Sequence, residues 1–100
     1  MNNSLNPQIV KISNVTHTSC GTSFSLVLTS FGSIFSFGLN EYGQLGTGDN
    51  TIRISPYNIT FLSESFITQI ETGDSHSLVL TSNGIAYSFG NNNVLLHFKK

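Results

Sequence analysis

The sequence predicts an all-β fold assembled from two copies of one antiparallel unit. Aligned with itself, the chain matches residues 15–40 to residues 67–92, an offset of 52 positions, with 14 of 26 positions identical. Self-similarity at a period of about 50 residues is typical of repeat architectures, in which each unit buries its faces against its neighbours. Only 9% of the 100 residues are charged, and abundant Ser, Thr, Asn and β-branched residues favour strands.

The first unit, residues 8–56, contains four predicted strands separated by turn residues. Pro7 precedes the first run of β-branched residues, and Gly21 ends the second. Short apolar or alternating runs bounded in this way are typical of strands. We predict them at residues 8–12, 15–20, 24–29 and 34–37.

The second unit, residues 57–92, repeats this arrangement. Its strands are predicted at residues 57–62, 66–71, 76–81 and 85–89. Four short strands per unit are the composition of a propeller blade. The two units are flanked by a polar N-terminal segment, residues 1–7, and by a C-terminal tail, residues 93–100.

The third strand of each unit carries apolar residues on both faces. Phe24, Leu26 and Leu28 point to one side, and Val27 points to the other. A strand covered on both sides indicates a sheet stacked between neighbours. The second unit repeats the pattern with His76, Leu78 and Leu80 opposite Val79.

Short turns join the third strand of each unit to the fourth. Asn83-Gly84 predicts a type I′ hairpin turn, because both residues tolerate the positive φ that this turn requires. Phe31-Gly32 is a weaker version of the same signal in the first unit.

The composition and net charge of the chain limit the kinds of binding partner and the cellular compartment that we expect. Four Lys or Arg against five Asp or Glu give a net charge of −1, so no basic field favours nucleic acid or an anionic membrane. The N-terminus lacks the pattern of a secretory signal, and no apolar run approaches the roughly 20 residues that cross a bilayer. Cys20 has no partner for an internal disulfide. We expect a soluble, cytoplasmic protein, with the nucleus as an alternative.

The most informative stretch is residues 38–46, Gly-Leu-Asn-Glu-Tyr-Gly-Gln-Leu-Gly, which follows an aromatic strand. Its glycines indicate successive backbone turns, and Leu45 is expected to pin the loop to the core. The stretch resembles the signature of the regulator-of-chromosome-condensation repeat family, whose repeats typically run Gly-x-Asn-x-Tyr-Gly-Gln-Leu-Gly. The resemblance covers roughly residues 9–92.

This resemblance implies a fragment of a larger, typically seven-bladed β-propeller. It implies a structural role for His76, which often sits at this position in the family, packing or hydrogen-bonding at the inner end of a blade. The positions that we assign to the repeat pattern as structural residues are Gly38, Asn40, Tyr42, Gly43, Gln44, Leu45, Gly46, Gly73, His76, Gly84 and Gly90.

The second copy departs from the first after Asn92. Where the first unit continues through residues 41–46, the second reads Asn-Val-Leu-Leu-His-Phe-Lys-Lys. We interpret residues 93–100 as the aberrant end of a truncated product or of a gene model that leaves its frame. Two blades leave apolar faces and strand edges uncovered, so we expect self-association or completion by further blades.

No catalytic or cofactor-binding constellation is predicted. Residues 43–49 have the glycine density of a phosphate-binding loop, but neither a Lys-Ser/Thr pair nor a helix-forming run follows. Residues 74–76 are Asp-Ser-His, the residue types of a hydrolase triad. Neighbouring residues on a strand alternate faces, so Ser75 points away from the other two and no triad is predicted. His17 and Cys20 fall on opposite faces of an extended strand and do not begin a metal site. We expect no enzyme activity, no cofactor and no metal.

The function that we predict is a protein–protein interaction module. Rim loops on a rigid scaffold present residues 39–49, Thr22-Ser23 and Asp74-Ser75 to partners, with Glu41, Asp49 and Asp74 as exposed acids. We expect protein partners and no direct nucleic-acid or membrane contact. The resemblance also implies an alternative, guanine-nucleotide exchange on a Ran-like small GTPase, which requires a complete ring. A further alternative is a non-functional remnant of a longer repeat protein.

Overall fold

The computed structural model describes residues 10–91 as two antiparallel sheets that lie against each other. The first sheet has the strand order β1-β2-β3-β4 and the second has the order β5-β6-β7. The all-β prediction is confirmed. Within residues 10–91, no helix is long or apolar enough to span a bilayer. The strands are β1 Val15–Cys20, β2 Phe24–Thr29, β3 Ile34–Gly38, β4 Arg53–Asn58, β5 Ile67–Thr72, β6 His76–Thr81 and β7 Ala86–Gly90.

The sequence repeat reappears as a repeat of strand register. Leu26 pairs with Ser36 in the first sheet, and Leu78 pairs with Ser88 at the same offset in the second. The first strand of each sheet also carries a register shift at the same place, after Val15 in β1 and after Ile67 in β5. Six of the eight predicted strands therefore correspond to observed ones, with bounds that differ by no more than one residue.

The outer strand of the first sheet differs from the prediction. A strand over residues 57–62 was expected to begin the second unit, but β4 completes the first sheet by pairing Tyr57 with Ser36. Pro56 is tolerated because β4 is an edge strand, where a missing N–H breaks no ladder. Residues Thr60–Leu62 form one turn of 3₁₀ helix that buries Leu62. The predicted boundary between the units, after residue 56, therefore lies inside β4.

The strand predicted at residues 8–12 is also wrong in its described part. Residues 8 and 9 lie outside the described residues, as do the N-terminal segment 1–7 and the tail 93–100. Residues 10–12 form no strand. The N–H of Ile12 donates to the carbonyl of Val10 at 3.0 Å, which closes a local turn and removes these groups from any ladder.

Both hairpins use the same turn, and it is not type I′. In the second sheet the N–H of Gly84 donates to Thr81 at 3.1 Å, and Gly84 alone in this turn has positive φ, at 87°. In the first sheet Gly32, with φ of 74°, donates to Thr29 at 3.0 Å. A type I turn followed by a left-handed glycine is the usual three-residue hairpin loop.

The core lies between the two sheets. It combines alternate side chains of β2, apolar side chains of the second sheet and Leu45 from the loop after β3. Val27, on the other side of β2, is also 5% exposed, which agrees with the expectation of a strand covered on both faces. The buried cluster contains Phe24, Leu26, Leu28, Ile34, Leu45, Ile59, Leu62, Ile67 and Val79.

Polar contacts join the same two sheets along the seam between β1 and β5. Ser19 Oγ and Thr72 Oγ1 are 2.6 Å apart, and the N–H of Thr22 donates to the carbonyl of Asp74 at 2.9 Å. A Cβ on Gly21 would lie 2.4 Å from the carbonyl oxygen of Gly73. Glycine at this position therefore lets the two backbones approach.

Candidate functional site

The loop between β3 and β4 is organised around the buried side chain of Asn40. Asn40 is 1% exposed, and its Nδ2 lies within 3.3 Å of oxygens on Thr47, Asp49 and Thr51. Its Oδ1 accepts from the N–H of Leu45 at 3.0 Å. One amide side chain therefore satisfies groups from both halves of the loop, which fixes the shape of the loop.

The next signature residues attach the loop to both sheets. Leu45 is 0% exposed within the core, and its carbonyl accepts from Ser36 Oγ at 2.8 Å. The carbonyl of Gln44 accepts from Ser77 Oγ, on the second sheet, at 2.7 Å. Gln44 Oε1 accepts from the N–H of Tyr42 at 2.9 Å. The expectation that Leu45 pins the loop to a core agrees with these contacts.

Two signature glycines are required for different reasons. Gly43 and Gly46 both have positive φ, at 77° and 69°. A Cβ on Gly43 would meet nothing within 4 Å, whereas a Cβ on Gly46 would lie 2.9 Å from the ring of Phe89. Conformation alone requires glycine at the first position, and the close approach of the second sheet adds to the requirement at the second.

Asp49 closes the far end of the loop. Its Oδ1 accepts from the N–H of Thr51 at 3.0 Å and from Thr47 Oγ1 at 2.8 Å, and its Oδ2 lies 2.8 Å from Arg53 Nη2. The hydrogen bond from Thr51, then that from Thr47 and the charge of Arg53, hold the pKa of Asp49 below its usual value of 3.8. Asp49 was predicted as a free acid for partners, but it is bound within its own loop.

The predicted partner-facing loops meet at one end of the two sheets. The N–H of Leu39 donates to Ser23 at 2.9 Å, which joins the loop after β3 to the β1–β2 loop. The contact from Thr22 to Asp74 joins the β1–β2 loop to the β5–β6 loop. We call these three loops, residues 21–23, 39–52 and 73–75, the signature rim. On this rim the carboxylates of Glu41 and Asp74 are exposed.

His76 makes a backbone contact at the same end of the second sheet. It is 7% exposed, and its Nδ1 lies 2.6 Å from the carbonyl oxygen of Asn91. This bond holds the end of β7 to the start of β6, and the structural role that the resemblance implies for His76 stays a prediction. Within residues 10–91, no three His, Cys, Asp or Glu side chains converge as metal ligands do.

The remaining signature glycines serve the strand ends and the turns. Gly38 and Gly90 end β3 and β7 with φ of 115° and 120°. A Cβ on Gly38 would collide with the carbonyl oxygen of Ser23 in the β1–β2 loop, and a Cβ on Gly90 would collide with that of Ser75 in the β5–β6 loop. The N–H of Gly73 donates to the carbonyl of His76 at 2.9 Å, which closes the β5–β6 loop.

Three phenylalanine side chains outside the signature rim are exposed, and none of them was predicted to lie at the surface. Phe31, Phe61 and Phe66 are 68%, 77% and 50% exposed. Phe61 also contacts Tyr87 edge to face, with 5.7 Å between ring centroids. Of these three residues, Phe31 could have been predicted to be exposed from the sequence, because it lies in a hairpin turn and such turns lie at the protein surface.

Sequence comparison identifies the repeated unit. The profile described as "Regulator of chromosome condensation (RCC1) repeat" matches residues 15–44 and 67–94, and a second profile with the same description matches residues 32–80. Together the first two segments comprise more than half of the chain.

Curated relatives share this region at moderate identity. Human E3 ubiquitin-protein ligase HERC2 is 36% identical over 85 residues, which are 83% of this chain and 2% of that protein. Human protein RCC2 is 39% identical over 83 residues, 83% of this chain and 16% of that protein. The Ultraviolet-B receptor UVR8 of Arabidopsis thaliana is 38% identical over 71 residues, which are 71% of this chain and 16% of that protein. The chain thus spans a small part of each relative.

Solved structures show the same arrangement of sheets. Human WBSCR16 superposes with a TM-score of 0.77 at 27% identity, covering 85% of this chain and 22% of that one. Prp20p of Saccharomyces cerevisiae, reported with its binding properties to Gsp1p and histones, superposes with a TM-score of 0.68 at 28% identity, covering 80% and 19%. The two sheets correspond to a fragment of each of these larger chains.

Proposed function

Because this chain belongs to the regulator of chromosome condensation repeat family, we propose that it is a non-catalytic β-propeller module that binds a protein partner through the signature rim. The observation that carries the proposal is the loop fixed by Asn40, which presents exposed Glu41 and Tyr42 beside the two shorter rim loops. A loop whose shape is set before binding loses little conformational entropy when a partner arrives.

The charge of the signature rim favours a basic partner surface. Glu41 and Asp74 are exposed there, and the third acid, Asp49, is paired with Arg53. Complementary charge steers association and selects among partners. The similarity to Prp20p, which has reported binding properties to histones, is consistent with this preference. We place the module in the cytoplasm, with the nucleus as the alternative.

Binding of purified core histones to the immobilised 100-residue chain tests this proposal. We expect the variant Glu41→Lys/Asp74→Lys to bind at least tenfold more weakly at low salt. The matched control is Glu64→Lys, which reverses an exposed charge in the loop before β5, at the other end of the sheets; its affinity should equal that of the parent chain. Equal binding by all three proteins would contradict the proposal.

A second candidate function is nucleotide exchange on a small GTPase. The observation in its favour is the similarity to Prp20p, reported with its binding properties to Gsp1p. This chain covers 19% of that structure, so exchange would require further blades. Release of a fluorescent guanine nucleotide from Gsp1p, measured with substoichiometric chain, distinguishes the two candidates. A binding module leaves the release rate unchanged, and an exchange factor raises it.

The relatives named as E3 ubiquitin-protein ligases do not alter this assignment of the matched region. Human HERC2 shares 85 residues with the chain, and these make up 2% of that protein. The shared region is therefore a repeat segment and a small fraction of the ligase, and we propose a role in partner binding for it.

A further inference from the structure

The two sheets are joined by one interface whose residues recur at the repeat offset. On the first sheet, Leu26 and Leu28 face the second sheet and are 0% and 3% exposed. On the second sheet, Ser77 and Val79 face the first sheet and are both 0% exposed. Side chains alternate along a strand, so their neighbours point away from this interface. Each sheet therefore has a second, outward face.

The outward face of the first sheet has the composition of the face that the second sheet turns inward. It carries Ser25 and Phe37, which are partly exposed, and Val27, which is 5% exposed. Val10 lines this outward face and is 48% exposed. Its counterpart at the repeat offset, Leu62, is 3% exposed in the core. The counterparts of the three sheet residues are identical, namely Ser77, Val79 and Phe89.

The outward face of the second sheet, which includes Leu78 and Leu80, repeats the face that the first sheet turns inward. The leucines at the counterpart positions are those of the internal interface. Leu78 and Leu80 are only partly buried. Ser88 is exposed on the same face, whereas its counterpart Ser36 is 0% exposed.

We propose that a second copy of this chain docks head to tail, with the outward face of its first sheet on the outward face of the neighbour's second sheet. Gln44 and Leu45, which join the two sheets, correspond at the repeat offset to Leu96 and His97. For the strand residues, however, the contact repeats the internal interface: Ser25, Val27 and Phe37 take the positions of Ser77, Val79 and Phe89, and Leu78 and Leu80 take those of Leu26 and Leu28. It continues an interface that the structure already contains, which identifies a second copy as the occupant. The inference goes beyond the proposed function because it uses sheet faces and not the signature rim.

Backbone groups at the edges of the two faces fit the same arrangement. The N–H of Ile67 donates to the carbonyl of Gly32 at 3.0 Å, and the ring of Phe66 covers Gly32, with a ring carbon 2.5 Å from the position of a Cβ. The counterpart of Gly32 is Gly84, where a Cβ would meet nothing within 4 Å. The space above Gly84 is therefore open to the counterpart of Phe66, the exposed Asn14, of the second copy.

Differences between the copies make the new contact weaker than the internal one. His76 stands where the first sheet has Phe24, and Ala86 stands where it has Ile34. Smaller or more polar side chains bury less apolar area. A head-to-tail contact joins two different surfaces, so each added copy leaves a free face for the next. Copies therefore continue to add until the rotation between neighbours closes a ring. Propellers have about four to eight blades, which corresponds to about two to four copies of this two-sheet chain.

A single engineered cysteine tests the head-to-tail arrangement. Across the internal interface, Ser19 Oγ lies 2.6 Å from Thr72 Oγ1. The counterpart of Ser19 is Glu71, and the counterpart of Thr72 is the exposed native Cys20. Glu71→Cys should therefore form an intermolecular disulfide with Cys20 of the next copy under mild oxidation, giving dithiothreitol-sensitive multimers on a denaturing gel.

Matched variants establish which faces meet. Within one chain, Cys20 and residue 71 lie on the two outward faces and point away from each other, so no internal bridge competes. Glu71→Cys/Cys20→Ser should not cross-link. Thr72→Cys, whose side chain faces inward, should also remain monomeric on the gel, while Ser19→Cys/Thr72→Cys/Cys20→Ser should form a bridge within the chain.

Light scattering on the native chain gives a second readout. We expect mass to rise with concentration, and Leu80→Asp to return the chain to a monomer with an unchanged circular dichroism spectrum. A monomer at all concentrations without cross-linking of Glu71→Cys would overturn the proposal. Cross-linking of Glu71→Cys/Cys20→Ser would overturn it in favour of a two-fold contact. Loss of histone binding in the rim variants leaves assembly unchanged, so the two proposals fail independently.

Discussion

Asn40 and Asp49 hold the β3–β4 loop closed from opposite ends. Asn40 Nδ2 lies 2.9 Å from the carbonyl oxygen of Asp49 and 3.3 Å from its Oδ1. Asn40 is 1% exposed, whereas the carboxylate of Asp49 lies at the surface. The relationship therefore couples a buried amide to a charged group in solvent.

Replacing Asn40 with Ala should destabilise the fold by about 1–3 kcal/mol, because the buried N–H of Leu45 and several carbonyls lose their partner. Urea denaturation followed by circular dichroism measures the change. Asn50→Ala removes an exposed amide of the same loop that donates to the carbonyl of Glu41 at 3.0 Å, and it should cost less, no more than about 1 kcal/mol. Equal effects of the two substitutions would show that the Asn40 contacts do not fix the loop.

The stability of the chain should fall in acid through Asp49. Its pKa in the folded chain is lowered below 3.8, so the carboxylate contributes stability at pH values above the unfolded value. That contribution is lost as the pH falls through the folded pKa, because protonation weakens the bonds from Thr51, Thr47 and Arg53.

Melting temperatures between about pH 2 and pH 6 measure this dependence. The native chain should lose more stability on acidification than Asp49→Asn, whose side chain does not titrate. If the melting temperatures of the two proteins fell equally with decreasing pH, the acid sensitivity would come from other groups.

Gly46→Ala should cost more stability than Gly43→Ala. A left-handed alanine costs about 1–2 kcal/mol at either position, but only the Cβ at position 46 would lie 2.9 Å from Phe89. Thermal unfolding of the two variants compares the conformational cost with the steric one. A smaller loss for Gly46→Ala would mean that the second sheet shifts to accommodate the methyl group.

Leu45→Ala should destabilise the chain by about 2–5 kcal/mol, since it opens a cavity between the two sheets at a residue that is 0% exposed. Leu39→Ala provides the control, because Leu39 lies in the same loop and is 38% exposed. Its effect on the urea midpoint should be small. A comparable loss at both positions would argue against Leu45 as the anchor of the loop.

The sequence predicted the features that follow from local periodicity. Alternating apolar residues located β2 and β6, and the offset of 52 positions predicted the shared register of Leu26–Ser36 and Leu78–Ser88. The glycines of residues 38–46 predicted successive backbone turns, and Leu45 among them predicted that the loop is pinned to the core. These are properties of single strands and single loops, which short-range patterns determine.

Features that depend on pairing partners were not predictable in this way. Periodicity located a strand near Tyr57 but gave no information about the sheet to which it belongs, and Pro56 obscured where it begins. Asn83-Gly84 suggests a type I′ turn, yet Asn83 keeps a negative φ because a three-residue loop matches the register of β6 and β7. The pairing of Asp49 with Arg53 arises from irregular backbone, for which the sequence shows no period.

Because β4, Arg53–Asn58, extends across the point where the sequence repeat would be divided, the first sheet includes residues of both repeat units. A break in the chain after residue 56 would remove Tyr57 and Asn58 from β4 and leave β3 with a shortened neighbour. Mechanical force applied across the junction must therefore peel β4 from β3 before the two sheets can separate.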